Sequence, residues 1–231
     1  MPSIFLCSQI EIIIKIIRKS ISMKYIITKT SKIRDSKLRI TDPPLNIVST
    51  IIKKYFHGRC LDIGCGTGRH LLLMPQNSVG LDADDKFFYL IKKRNKQHNL
   101  IKHDLNEFSY PFKKNQFDTI LCSHVIEHLY SPYKTLMEIK RILKPRGILI
   151  VAIPNPKCLY SDVYSKEWIN ELHINVWDHY SFQKFLTIHD FKVLKRYCNH
   201  PFSSGFSAFA FNLPIIRNYM NDLWFICENR K

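Results

Sequence analysis

At 231 residues the chain is long enough for one domain with a full core and too short for two of ordinary size. Hydrophobic residues at 45% and aromatics at 13% exclude a disordered chain. A net charge of +16 invites an anionic partner, while seven scattered cysteines with no C-x-x-C pair exclude a disulfide framework and a cysteine zinc site.

The charge is uneven, with eleven Lys/Arg against three Asp/Glu in residues 1–58. A basic extension over 1–40 is expected ahead of a folded domain over 41–231. Within the extension, Ile4 to Ile17 is apolar but broken by Gln9, Glu11 and Lys15. It is short for a membrane span, and its positive flank lies on the side opposite to a signal peptide's. It reads as an interfacial helix or, if Met23 is the true start, as a stretch outside the native chain.

Thr41-Asp42-Pro43-Pro44 is a breaker, and Leu45 to Phe56 then repeats apolar residues at helical spacing. Cys60 to Ile63 reads as a first strand and Ser78 to Leu81 as a second, the latter ending in Asp82. Lys86 to Lys96 is a basic helix, Asn99 to His103 a third strand, and Phe117 to Ser123 a fourth. A loop or short helix over His124 to Tyr130 leads into a helix over Tyr133 to Leu143, closed by Lys144-Pro145-Arg146-Gly147. Ile148 to Ile153 is a near-continuous apolar run, as expected for a strand covered on both faces. Asp178 caps a helix running to about Asp190, with strands over Phe191 to Tyr197 and Leu223 to Cys227. This alternation predicts an α/β, doubly wound, mostly parallel seven-stranded sheet with helices on both faces. Acceptor-side insertions are expected over about 154–177 and 199–221.

Four of the seven glycines (Gly58, Gly64, Gly66, Gly68) crowd around the end of the first strand. The backbone there must turn tightly and approach a ligand closely. The order strand, glycine-rich turn, helix holds a nucleotide-type ligand at the carboxyl end of a first strand. Gly64-Cys65-Gly66-Thr67-Gly68 lacks the spacing of a nicotinamide loop, and no Gly-Lys-Ser/Thr follows for a P-loop. Asp62 would repel a pyrophosphate and suits a cationic or zwitterionic ligand.

Leu61-Asp62-Ile63-Gly64-Cys65-Gly66-Thr67-Gly68 resembles the first motif of the class I S-adenosylmethionine-dependent methyltransferases, a Rossmann-like family. Val79-Gly80-Leu81-Asp82 resembles their second motif, Lys102-His103-Asp104-Leu105 the third, Phe117 to Ser123 the fourth, and Ile142 to Ile150 the approach to strand five. The resemblance covers about residues 45–198. It implies S-adenosyl-L-methionine as cofactor, held by Asp62, Gly64, Cys65, Gly66 and Gly68, by Asp82 and Ala83 at the ribose, by Asp104 and Leu105 at the adenine, and by Ser123. From the residues alone, Asp82 also suits a helix N-cap and Asp104 a turn.

His124-Val125-Ile126-Glu127-His128 follows the fourth strand. On a helical turn, positions 124, 127 and 128 share one face, which suits an acid/base cluster, a metal half-site or a brace for the cofactor pocket. Ubiquinone-pathway O-methyltransferases and small-RNA 2′-O-methyltransferases carry E-x-x-E-H here and hold a divalent ion with it. This chain has His124 in place of the first glutamate, so a softer ion or none is expected, and no metal ligand is assigned. His128, His124, Glu127 and His173 are the candidate catalytic residues, His173 contributing from outside the cluster. The expected activity is methyl transfer to an oxygen of a small molecule. RNA, favoured by the basic arm, is the alternative acceptor, and a cofactor-binding protein without transferase activity is the third reading. Buried free thiols suit a reducing cytosol, with peripheral membrane contact through residues 4–17 or 202–213 as a further expectation.

Overall fold

The computed structural model describes residues 47–156, 173–199 and 222–231. The expectations for the basic arm, for Pro43-Pro44 and for residues 4–17 and 202–213 lie outside them. Helix α1 spans Ile47–Tyr55, α2 Phe88–Arg94, α3 Pro132–Ile142 and α4 His179–Ile188. The strands are β1 (Cys60–Ile63), β2 (Val79–Asp82), β3 (Asn99–Lys102), β4 (Phe117–Ser123), β5 (Leu143–Pro154), β6 (Phe191–Asn199) and β7 (Asp222–Asn229).

They form one seven-stranded sheet in the order β3-β2-β1-β4-β5-β7-β6. Strands β1 to β5 run parallel, and β7 is antiparallel to both β5 and β6. The order reverses between β1 and β4, which makes a crevice beyond their carboxyl ends, where such sheets bind ligands.

Period-two alternation explains how one sheet serves two layers of helices. On β4, β5 and β7, Ile120, Cys122, Leu149, Val151, Leu223 and Phe225 join one buried cluster with Leu136 and Ile139 of α3 and Phe182 and Leu186 of α4. Their neighbours Leu121, Ile150, Ala152, Trp224 and Ile226 join a second cluster with Val48, Ile51 and Ile52 of α1 and Ile91 of α2. Apolar residues on both faces give central strands that read as continuous hydrophobic runs.

Asp178 caps α4 as expected, its Oδ1 accepting from the Tyr180 and Ser181 amides at 3.1 and 2.9 Å, a cap worth about 1 kcal/mol. Two local expectations are corrected. The residues after the glycine loop make only a short 3-10 turn, Leu71–Leu73. Lys144 to Gly147 is not a helix-closing turn but part of β5, which begins at Leu143. A register break between Phe117 and Thr119 and a positive φ of 60° at Arg146 absorb the turn-forming residues inside the strand. Among the described residues, no helix is long and apolar enough to cross a membrane.

Candidate active site

The glycine loop lies at the reversal point of the sheet. β1 pairs with β2 on one side and β4 on the other. Past Ile63, the amides of Gly64 and Cys65 both donate to the Leu81 carbonyl, at 2.8 and 3.1 Å, so the chain folds across the end of β2. Gly64 has φ 71°, and a Cβ there would sit 2.2 Å from Val125 Cγ2, so close packing on the next loop demands glycine. Gly66 has φ 48°, and a Cβ there would meet nothing within 4 Å. Its bare backbone is therefore presented to a ligand rather than to the protein.

Asp82 secures the loop from the neighbouring strand. Its Oδ2 accepts the Gly66 amide at 2.7 Å and its Oδ1 the Asp84 amide at 2.9 Å. Each carboxylate oxygen keeps a second lone pair, so the same group still accepts from a ribose diol. Asp62 is 1% exposed, and neither of its oxygens has a hydrogen-bond partner among the described residues. Burial, with the charge of Asp82 added, pushes its carboxyl well above the usual range. A buried carboxylate held this way is costly until a cation arrives. The ammonium of S-adenosylmethionine supplies one, so the residues present fit that cofactor.

The remaining cofactor candidates have distinct roles. Ala83 is exposed beside Asp82. Asp104 is exposed and its Oδ1 accepts the Asn106 amide at 2.9 Å, the turn role read from its residue type, at the end of β3 where an adenine edge is expected. The Leu105 side chain is buried in the core, which leaves only its backbone for a ligand. Ser123 is half-buried at the end of β4. Burial pushes the Cys65 thiol far up, so it is a packing thiol and not a nucleophile.

The acceptor side gathers after β4. The only helical turn there is a 3-10 turn over Ile126–His128, and His124 stands before it with φ 55°. The expected shared helical face of positions 124, 127 and 128 is thus corrected, because the left-handed residue breaks the turn. His124 nevertheless reaches Glu127, its Nδ1 lying 3.4 Å from Glu127 Oε1. On its other side Nε2 lies 3.6 Å from Asp222 Oδ1. Desolvation opposes a charge on this ring, but Asp222 and Glu127 outweigh it and push its pKa up to about 10. The two carboxylates thus favour the charged form of the His124 ring.

His128 and His173 are half-buried, and their rings lie 4.5 Å apart between centroids. His128 Nε2 is 3.9 Å from Glu127 Oε1. Desolvation and the neighbouring His128 lower the pKa of His173, leaving it neutral. Asn175 holds this arm in place: its amide donates to the Glu127 carbonyl at 3.0 Å and its Nδ2 to the Leu129 carbonyl at 2.7 Å. Glu127, His128 and His173 each bring one donor atom to within 4.8 Å of the others, a set able to face a cation or to exchange a proton.

Sequence reasoning missed Asp222, Asn175 and His70. Burial, with Arg69 and His124 adding to it, lowers the His70 pKa to about 3, and its ring meets Trp224 edge-on at 6.5 Å. Asp222 carried no local signal, standing almost a hundred residues from His124. Asn175 carried no signal beyond standing two residues after His173.

Comparison with known proteins agrees with this geometry. A family profile described as "Methyltransferase domain" matches residues 61–151. An uncharacterized protein of Methanocaldococcus jannaschii is 32% identical over 183 residues, covering 77% of this chain and 74% of that protein. The ubiquinone biosynthesis O-methyltransferase of Pelagibacter ubique is 32% identical over 151 residues, covering 63% of this chain and 57% of that protein. Among solved structures, a SAM-dependent methyltransferase from Archaeoglobus fulgidus superposes with a TM-score of 0.57 at 22% identity, covering 79% of this chain and 93% of the other.

Proposed function

Since the chain belongs to the class I S-adenosylmethionine-dependent methyltransferases, we propose that it methylates a hydroxyl oxygen of a small molecule. The cofactor supplies a sulfonium methyl group already activated for transfer, so the protein's task is to position the acceptor and take up its proton. Asp62, Asp82 and the bare loop at Gly66 hold and orient the donor. The acceptor oxygen bonds to the methyl carbon as the carbon–sulfur bond breaks to a thioether, and the hydroxyl proton is released.

The His128–His173 pair carries this reading. A pair of imidazoles beside a buried carboxylate is suited to take up a hydroxyl proton. Glu127 steadies the imidazolium that forms on His128, and the proton passes to solvent from the half-buried rings. The likeness to a ubiquinone-pathway O-methyltransferase favours an oxygen acceptor as well.

RNA is the second reading, favoured by the net charge of +16. Labelled-methyl transfer onto extract fractions separates the two. Label is expected in small molecules, with His128→Ala and His173→Ala each losing about a hundredfold in kcat or more while cofactor affinity is retained. Label in RNA, with binding that weakens steeply with added salt, overturns the small-molecule reading.

A further inference from the structure

His124 is gripped by two carboxylates that come from distant parts of the chain. Glu127 is three residues ahead on the 3-10 turn, whereas Asp222 opens β7, where it pairs with Pro154 of β5 and Asn199 of β6. The His124 amide donates to the Ala152 carbonyl at 3.0 Å, which fixes the ring's starting point against β5. Each ring nitrogen then lies within ion-pair range of a carboxylate oxygen, at 3.4 Å and 3.6 Å, although neither contact has hydrogen-bond geometry. A neutral imidazole would turn a lone pair toward one of the two carboxylates, whereas an imidazolium is attracted by both. Glu127 is 1% exposed and Asp222 7%, and burial of two acidic groups favours a cation between them.

We propose that Asp222 is a positioning residue for methyl transfer: with Glu127 it grips His124 as the fixed cation of the acceptor site, so that Glu127 is neutralised without a divalent metal and proton uptake falls to His128 and His173. The inference rests on reading the site as a methyl-transfer centre with a hydroxyl acceptor. The upward shift of the His124 pKa agrees with the geometry. Among the described residues, the titratable groups around the ring are Asp222 of β7, Glu127 of the turn, His128 across Glu127, His70 of the glycine-loop segment and His173 of the Asn175 arm. His70 and His173 are both held neutral, so neither competes for the carboxylates. A divalent ion on Glu127, His128 and His173 would share Glu127 with a His124 imidazolium whose Nδ1 lies 3.4 Å from that carboxylate, and two cations on one carboxylate oppose each other.

The test uses the purified full chain. Nitrogen-15 NMR of histidine-labelled protein is expected to show both His124 ring nitrogens protonated at neutral pH. Calorimetric titration with Zn²⁺ or Mn²⁺ is expected to show no stoichiometric site, and a chelator to leave the rate unchanged. Asp222→Asn is expected to lower kcat about tenfold or more with KM for the cofactor unchanged, through misplacement of the gripped ring, and Asp222→Glu to recover part of the loss. A singly protonated His124, a stoichiometric metal site, a chelator-sensitive rate, or an Asp222→Asn enzyme with normal kcat overturns the proposal. NMR and metal titration need no acceptor and no variant. They therefore judge the grip even if no hydroxyl acceptor is methylated, an outcome that defeats the functional reading instead.

Discussion

Asp62 is the residue through which the proposed site would select its donor. It lies in the middle of the sheet, pairing with Gly80 and Leu121, where water cannot solvate a charge. Without a cation its proton is held well above the usual carboxylate range. An ammonium placed against it favours the ionised form, so its pKa falls on binding and a proton is released at any pH between the two values. Calorimetry of cofactor binding in buffers of different ionisation enthalpy is expected to show this release in the wild type and not in Asp62→Asn. A charge-assisted hydrogen bond contributes about 1.5–3 kcal/mol, so the variant is expected to bind about ten- to a hundredfold more weakly. Equal affinity and equal proton release would remove Asp62 from the cofactor site.

Among the elements, what was legible depended on range. Strands such as Phe117 to Ser123 and the glycine loop announce themselves through neighbouring residues, because apolar runs and glycine spacing are local signals. The start of β5 was misplaced because Lys144-Pro145-Arg146-Gly147 has turn composition, and only pairing of Leu143 with Phe117 makes it strand. The His-Glu cluster was found, but its partners were not, since Asp222 reaches it only once β7 inserts between β5 and β6. Asn175 illustrates the same point with a measurable consequence. Its side chain ties the His173 arm to Leu129, and Asn175→Ala removes that bond at a cost of about 1 kcal/mol in stability. The looser arm is expected to raise KM for the acceptor and lower kcat, with cofactor affinity intact because the tether bonds to Glu127 and Leu129 and to none of the residues assigned to the cofactor. Unchanged acceptor kinetics would show that His173 does not depend on this tether.

For the molecule as a whole, the gripped histidine makes stability depend on pH in a direction the net charge does not dictate. With a charge of +16, self-repulsion eases as lysines lose protons, so raising the pH by itself favours the folded state. His124 acts the other way. Its folded pKa of about 10 lies above its ordinary 6.5, so its stabilisation is complete below 6.5 and is lost as pH rises toward 10. His70 shifts in the opposite sense, to about 3, and its contribution is lost as pH falls below 6.5. Urea unfolding of the wild type and of Asp222→Asn across this range isolates the first effect, because the other groups cancel in the difference. The stability difference between the two is expected to be largest below pH 6.5 and to shrink as pH approaches 10. A difference that stays constant with pH would mean that Asp222 holds His124 by packing and not by charge.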